Sequence, residues 1–221
     1  MKNILFLNHG YSNRCGVYAQ GVRHFENLKK SKIYNFLYFD ITNFLEVEHL
    51  YSMYNPIAIM YNYMPVVMPW LNNNISTLDT KNICIIHNIT QHIVNTNQYN
   101  CGYFNHYISL DKSLTTDNYK LFALDRPIYE YISKNNNINT PLKIGTFGFP
   151  FLHKGFDEVV KTVNNELDEA EINLHMGDSF FCNNETEKIL QLCSNNITKP
   201  NIKLNFSNHY MEEKEIIDYL N

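Results

Sequence analysis

Long apolar runs and blocks of positive charge are both missing from this sequence of 221 residues. No segment approaches the ~20 apolar residues that a membrane-spanning helix needs. The first segment, MKNILFLNHG, has an apolar part too short for the core of a signal peptide and is interpreted as a buried strand. The formal net charge is −4 without a cluster of lysine and arginine, which disfavours nucleic acid as a partner. We therefore expect a cytoplasmic protein.

Cysteine pairs and familiar nucleotide-binding fingerprints are also absent. The five cysteines are scattered and include no Cys-x-x-Cys pair, which indicates reduced thiols rather than disulfides. Cys84, His87 and His92 have a spacing that zinc ligands can adopt, but Cys84 and His87 fall on opposite faces of a strand, so we predict no metal site. The sequence lacks G-x-G-x-x-G and G-x-x-x-x-G-K-[ST], so other doubly wound nucleotide-binding enzymes have little support.

Patterned apolar segments predict an α/β protein of two halves. The composition, 44% apolar and 14% aromatic, is ample for a buried core. In the first half, the helix CGVYAQGVRHFENLKK is predicted to bury Val22, Phe25 and Leu28 on one face. Asp111 is predicted to cap a helix over KSLTTD. The strands predicted in this half are NILFLNH, YNFLYFD, PIAIMYN, NICIIHN and HYISLD, and no secure helix is predicted over residues 42–80.

The second half alternates strands and helices regularly, which predicts a parallel sheet with right-handed crossovers. LKIGTFGF, EINLHMGD and NIKLNFS are predicted strands, and FDEVVKTVNNEL, ETEKILQLCSNN and EEKEIIDYLN are predicted helices. We assign domains to residues 1–133 and 142–221, joined by a polar linker at 134–141. A full doubly wound domain has roughly five or six strands, so we expect the second domain to be incomplete, through truncation or natural shortening.

Six segments, in this order along the chain, resemble motifs of the GT-B glycosyltransferases, in particular the retaining family 4. The segments are GYSNRCGVYAQGVRHFENL, NICIIHN, NHYISLDKS, IGTFGFPFLHKGFDEVV, INLHMGD and HYMEEKEIIDYLN, and together they extend over nearly the whole chain. The resemblance implies a GT-B-like fold of two Rossmann-like domains with parallel sheets, the first on the acceptor side and the second on the donor side. It also implies transfer of a sugar from a nucleotide-diphosphate sugar to a glycan or lipid-linked acceptor, without a tightly bound metal ion or other cofactor.

The resemblance further implies a set of site residues. Lys154 would neutralise the donor diphosphate at the head of a helix, where backbone N–H groups favour phosphate. Gly148 and Gly155 would shape that turn, and Gly145 would also let the backbone pass close to the phosphates. The first loop, with Gly10 and Gly16, would approach donor or acceptor; His87 would lie near the reacting sugar as the catalytic candidate; and Gly177 and Asp178 would lie near the nucleotide base.

Each of these residues also has a purely structural interpretation. Gly148 and Gly155 are typical of a tight strand-to-helix turn, beside which Lys154 would be a solvated side chain. A histidine at a strand end, such as His87, is often a structural hydrogen-bonding residue. Gly16 fits an ordinary strand-to-helix turn. From the residues alone, the structural interpretation of the lysine turn is favoured; the resemblance reverses that preference.

Two departures from the family pattern favour a second function. Phe149 stands where the family has an arginine that binds the donor diphosphate with the lysine. The E-x7-E segment and the GFGL loop, which hold the donor sugar and ribose, are absent from the sequence. The alternative is therefore a non-catalytic, degenerate glycosyltransferase-like module that binds or scaffolds.

Two kinds of contact surface also enter the predictions. An unfinished parallel sheet would expose an apolar edge, so self-association or a partner is expected. Arg23, Lys29 and Lys30 on the first helix leave a peripheral contact with an anionic membrane open, although a solvated helix face is the commoner use of three such charges.

Overall fold

The computed structural model of the protein describes residues 1–11, 15–71, 73–127, 141–177, 185–211 and 213–220. The chain forms two compact units, Met1–Tyr129 and Glu130–Asn221, and each is of the α/β class. Most of the predicted linker, up to residue 140, lies outside the described residues. No described helix is both long enough and apolar enough to span a bilayer.

Unit 1 is a six-stranded parallel sheet with the strand order β2-β1-β3-β4-β5-β6. Its strands are β1 Lys2–His9, β2 Tyr34–Ile41, β3 Ala58–Tyr63, β4 Lys81–Ile86, β5 His106–Ser109 and β6 Leu121–Ala123. Its helices are α1 Gly16–Leu28, α2 Phe44–Tyr54 and α3 Gln91–Asn95, with a 3₁₀ turn at Asn73–Thr77.

The central strand β1 shows why this sheet forms. Leu5, Phe6 and Leu7 are each completely buried although they alternate between the two faces of the sheet. Burial on both faces is characteristic of a parallel sheet that is covered on each side, and it explains the unbroken apolar run of the sequence. The predicted strands β1 to β5 are therefore observed with end shifts of at most a few residues.

Helix α1 differs from its predicted burial. The most deeply buried residues of the helix are Gln20 and Gly21, while Val22 is only half-buried. Phe25 and Leu28 do pack, as expected, on the apolar cluster under the sheet. The difference arises because the first half of the helix covers polar strand ends and only its second half covers apolar side chains.

Helix α2 lies within residues 42–80, for which the apolar pattern predicted no secure helix. Asn43 precedes it and accepts a hydrogen bond from the backbone N–H of Glu46. The Glu46 carboxylate in turn accepts one from the backbone N–H of Thr42 at 2.6 Å. Together these bonds satisfy backbone donors at the start of the helix in the manner of a capping box. Asn55, in the left-handed conformation with φ 41°, ends it.

The region after β5 corrects one prediction. Asp111 does not cap a helix, because residues 112–120 form turns and loop. Its carboxylate instead accepts hydrogen bonds from the backbone N–H and the hydroxyl of Ser113, at 2.9 and 2.6 Å, which closes a local turn. The short strand β6 follows, which the sequence pattern did not predict.

Unit 2 contains a three-stranded parallel sheet, β7-β8-β9, within the described residues. Its strands are β7 Leu142–Gly148, β8 Ala170–Met176 and β9 Ile202–Ser207, and its helices are α4 Phe156–Glu166, α5 Glu185–Asn195 and α6 Glu213–Leu220. Phe156, Val160 and Val163 of α4 are buried, and they form one apolar core with the sheet.

The opposite face of this sheet is polar and is contacted by α6. The Tyr219 hydroxyl donates to the backbone carbonyl of Asn173, and its ring lies where a side chain at Gly145 would be, 3.0 Å from the position of an added Cβ. The structure therefore gives Gly145 a packing function. Beside it, His175 is buried between Ser207 and His209, with ring-nitrogen contacts of 2.6 Å to the hydroxyl and 2.7 Å to the carbonyl oxygen.

Candidate functional site

The strand order of unit 1 reverses at β1, because β2 lies on one side of it and β3 on the other. In open α/β sheets such a reversal leaves a crevice at the carboxyl ends of the strands, and ligands bind there. The carboxyl ends of β1 and β3 carry Asn8, His9 and Asn62, and His87 follows the end of β4. The first half of α1 lies against these side chains. This set is the candidate site of unit 1.

A chain of hydrogen bonds joins the polar side chains of the candidate site. Asn62 Nδ2 donates to Asn8 Oδ1 at 2.8 Å and to the backbone carbonyl of Val17 at 2.7 Å. Asn8 Nδ2 donates to the carbonyl of Tyr18 at 3.1 Å and to the Tyr38 hydroxyl at 2.9 Å. His87 Nε2 lies 2.8 Å from Asn62 Oδ1. Asn8 and Asn62 are completely buried, so these bonds fix them in place.

The histidines near these hydrogen-bonded side chains are held in their neutral form. Burial, together with the neighbouring His24, Arg126 and His9, lowers the pKa of His87 to about 4. Burial, with the positive charge of Arg126, likewise lowers the pKa of His24 to about 4. Gln20 of α1 contacts the segment that carries Arg126, since its Nε2 lies 3.5 Å from the Pro127 carbonyl oxygen, and the same atom lies 3.5 Å from His24 Nε2. At neutral pH these imidazoles therefore act as hydrogen-bonding groups and not as cations.

His9 is the least satisfied member of the candidate site. Its side chain is completely buried, and neither ring nitrogen has a hydrogen-bond partner within the described part of the chain. The edge of its ring contacts Tyr18, with ring centroids 5.7 Å apart. Burial lowers the pKa of His9, opposed by the Asp40 carboxylate, so the ring is also neutral.

Gly21 permits α1 to lie close to the hydrogen-bonded asparagine side chains of the candidate site. A Cβ added there would lie 2.5 Å from Asn62 Nδ2 and 2.8 Å from Asn8 Nδ2. Because both amides are buried and hydrogen-bonded, they cannot withdraw from a larger side chain without losing partners. We expect Gly21→Ala to lower the free energy of unfolding of unit 1 by about 2–3 kcal/mol. Urea unfolding followed by the fluorescence of Trp70 measures this, since the chain has one tryptophan and it lies in unit 1.

Gly16→Ala in the same helix is the matched control. An added Cβ at Gly16 has nothing within 4 Å, and alanine is the better helix former. This variant should be at least as stable as the wild type. Equal stability of Gly21→Ala and Gly16→Ala would show that the close approach at Gly21 costs nothing.

The two predicted glycines of the first loop both lie at the carboxyl edge of the unit 1 sheet. Gly10 directly follows β1, and its N–H donates to the carbonyl of Ile41 at 2.7 Å. Gly16 is the exposed first residue of α1. Residues 12–14 between them lie outside the described residues. A function of either glycine in binding stays a prediction.

The predicted lysine turn lies at the carboxyl edge of the unit 2 sheet. Lys154 is exposed and ends a short 3₁₀ turn, and Gly155 joins that turn to α4 in the left-handed conformation with φ 71°. Gly148 ends β7, and its carbonyl accepts a hydrogen bond from the N–H of Gly177 at 3.0 Å, which ties the ends of β7 and β8 together. Asp178 lies outside the described residues.

The first backbone N–H groups of α4 have no hydrogen-bond partner within the helix. The helix begins with a bond from the N–H of Val159 to the carbonyl of Gly155 at 3.1 Å. The preceding N–H groups of the helix therefore have no partner of the intrahelical kind. Asp157 and Glu158 in this turn place negative charge beside them. Such N–H groups are donors of the kind that bind phosphate, and Lys154 lies two residues before Phe156, where the helix begins.

Several members of the unit 1 site were missed by sequence reasoning. It selected His87, Gly10 and Gly16, but not the buried residues Asn8, His9, Gln20, Gly21 and Asn62 or the half-buried His24. Among the described residues, no group of three or more histidine, cysteine, aspartate or glutamate side chains has a geometry that would hold a metal ion.

Two solved structures resemble the chain in fold. That of Anabaena Alr3699/HepE in complex with UDP and glucose has a TM-score of 0.63 and 11% sequence identity, and the match covers 100% of this chain and 72% of that one. That of MurG from Acinetobacter baumannii has 10% sequence identity, and the match covers 98% of this chain and 69% of that one. Its TM-score of 0.44 is too low to support an argument. The sequence matches no protein-family model and no curated protein. The likeness to HepE confirms the predicted GT-B-like α/β fold with parallel sheets.

Proposed function

We propose that the protein is a glycosyltransferase that transfers a sugar from a nucleotide-diphosphate sugar to a glycan or lipid-linked acceptor. The proposal rests on one observation, which is that the hydrogen-bonded candidate site of unit 1 lies at the strand-order reversal in a chain of GT-B-like fold. One structure that is similar in fold, that of HepE, was solved with UDP and glucose. Membership of the retaining family 4, a cytoplasmic location and the absence of a resident metal ion are parts of the same proposal.

The proposed reaction assigns a task to each unit. The bond between the anomeric carbon and the β-phosphate oxygen breaks, and negative charge develops on the departing nucleoside diphosphate. In unit 2, Lys154 and the first N–H groups of α4, which have no intrahelical partner, would stabilise that charge. In unit 1, His87 would contact the reacting sugar as a neutral hydrogen-bonding group. The acceptor hydroxyl oxygen forms the new bond to the anomeric carbon, and its proton passes to the departing diphosphate.

One observation favours the alternative, a binding or scaffolding module without catalysis. Phe149 follows Gly148 directly, and its half-buried apolar side chain cannot neutralise a phosphate. In the family pattern an arginine occupies that place. A site that keeps Lys154 alone would bind a nucleotide diphosphate with less charge than the full pattern provides.

The discriminating experiment compares binding with turnover. Calorimetry measures binding of UDP, UDP-glucose and a panel of other nucleotide sugars, and a coupled assay measures nucleoside diphosphate release with and without glycan and lipid-linked acceptors. Binding of one donor together with acceptor-dependent release supports the transferase. Binding without release supports the binding module. If no nucleotide or nucleotide sugar binds, the transferase and the nucleotide-binding form of the alternative are both wrong, and only the scaffolding form is left.

A further inference from the structure

We propose that Asn62 is a positioning residue, which fixes His87 in the tautomer with its proton on Nε2 and so presents Nδ1 as a hydrogen-bond acceptor for a sugar hydroxyl. The sugar contact rests on the proposed function, whereas the tautomer does not. No such role is implied by the family resemblance, because it comes from the buried Asn8 and Asn62 and the half-buried His87, which the fold brings together.

The orientation of the Asn62 amide is set by groups that can only accept. Its Nδ2 faces the backbone carbonyl of Val17 at 2.7 Å, and a carbonyl oxygen has no proton to donate. Turning the amide over would place Oδ1 against that oxygen and would lose the bond to Asn8 as well. Asn62 Oδ1 therefore faces His87.

The orientation of Asn8 is fixed in the same way. Its Nδ2 faces the backbone carbonyl of Tyr18 at 3.1 Å, so its Oδ1 is the atom that receives the N–H of Asn62 at 2.8 Å. The backbone N–H of His9 also reaches Asn8 Oδ1, at 3.1 Å. Both asparagines thus have their acceptor and donor atoms assigned by the backbone of α1 and β1.

The tautomer of His87 follows from these assignments. Asn62 Oδ1 lies 2.8 Å from His87 Nε2 and can only accept, so Nε2 must carry a proton. In a neutral imidazole the other nitrogen, Nδ1, then holds a lone pair. Nδ1 has no hydrogen-bond partner among the described residues, and the half-buried His87 lies at the carboxyl edge of the sheet, where Asn62 of the neighbouring strand contacts it. Burial and the positive charge of Arg126 oppose a second proton on the ring.

An acceptor nitrogen at this position selects the chemistry of its partner. A sugar hydroxyl can donate to Nδ1, whereas an ionised phosphate oxygen can only accept and would need a protonated ring. His87 is therefore suited to contact the sugar and not the diphosphate of a nucleotide sugar.

Long-range ¹H–¹⁵N correlation spectra of the whole protein, labelled with ¹⁵N-histidine, test the tautomer without substrate. The His87 signals are assigned by their loss in His87→Gln. We expect an unprotonated Nδ1 and a protonated Nε2 in the wild type, and a mixture of both neutral tautomers in Asn62→Ala. Asn82→Ala is the matched control, because Asn82 is also a buried asparagine but bonds to Tyr61 and Ile75 near the amino end of β4. It should leave the His87 spectrum unchanged.

The outcomes separate this inference from the proposed function. A proton on Nδ1 in the wild type overturns the inference even if Asn62→Ala fails to fold, and so does an unchanged tautomer in folded Asn62→Ala. For the hydroxyl contact, UDP-glucose should shift the Nδ1 signal and UDP alone should not. An equal shift with UDP, or none with bound UDP-glucose, overturns that contact. Failure to bind UDP-glucose counts against this donor in the proposed function and leaves the tautomer result standing.

Discussion

Replacing Lys154 by alanine is expected to lower kcat/KM for sugar transfer about 100-fold, which is typical of removing one group that stabilises charge in a transition state. Lys154 is exposed and directly precedes Gly155, whose left-handed conformation with φ 71° leads the chain into α4. The carboxylates of Asp157 and Glu158 weaken the positive field of the first turn, so the turn depends on the lysine for its counter-charge. Phe149 provides none.

Two further variants make the Lys154 experiment specific. Lys161→Ala removes an exposed lysine from the same helix, one turn beyond its start, and should leave kcat/KM unchanged. Lys154→Arg keeps the positive charge and should retain most of the activity. If the chain binds without turnover, the affinity for UDP measured by calorimetry replaces kcat/KM. Lys154→Ala with the same activity and UDP affinity as Lys161→Ala would show that Lys154 is a solvated side chain.

The strands that could be predicted from the sequence are those with long apolar runs. Each of the strands β1 to β5 and β7 to β9 coincides with such a run or with a segment in which apolar and polar residues alternate. β6 could not be predicted, because three residues are too few for a pattern and their pairing depends on β5. Helix α2 carried a signal that apolar periodicity does not contain, which is the pair of capping residues Asn43 and Glu46.

Alternation misleads where a polar side chain finds partners inside the fold. The pattern of β8 places Ile172, Leu174 and Met176 on the core face, and they are buried there. The same pattern implies that His175 faces solvent, but it is only 3% exposed. Contacts to Ser207 and to the carbonyl of His209, both distant in sequence, compensate for its burial.

The polar cluster of unit 1 was beyond prediction from a single sequence for a related reason. Asn8 and Asn62 are 54 residues apart, and Asn62 and His87 are 25 apart. In a chain rich in asparagine, no single one stands out. The available signal is local: each of these three residues interrupts or closes an apolar strand near its carboxyl end, which is where parallel strands bring polar groups together. Which pairs then bond depends on the strand order.

The neutral histidines of unit 1 lead to a second large effect, a loss of stability in weak acid. The native pKa values of His24 and His87 are about 4, mainly because of burial, whereas an unfolded histidine titrates near 6.5. Between these values the unfolded state binds protons that the native state excludes. The stability that depends on neutral His24 and His87 is therefore fully present above pH 6.5, and it is lost as the pH is lowered toward 4. We expect the free energy of unfolding of unit 1 to fall by on the order of 3 kcal/mol between pH 6.5 and 4.5.

Urea unfolding at a series of pH values, followed by Trp70 fluorescence, measures this dependence in unit 1. The double variant His24→Gln, His87→Gln should have a shallower dependence, because glutamine does not titrate and can still donate to Asn62 Oδ1 from position 87. His153→Gln, which removes an exposed histidine from unit 2, should follow the wild-type curve. His9, also neutral through burial, acts in the same direction and accounts for slope that remains in the double variant. Equal slopes in the wild type and the double variant would mean that His24 and His87 take up protons in the native state as readily as in the unfolded one, and that the site is more open to water than its burial indicates.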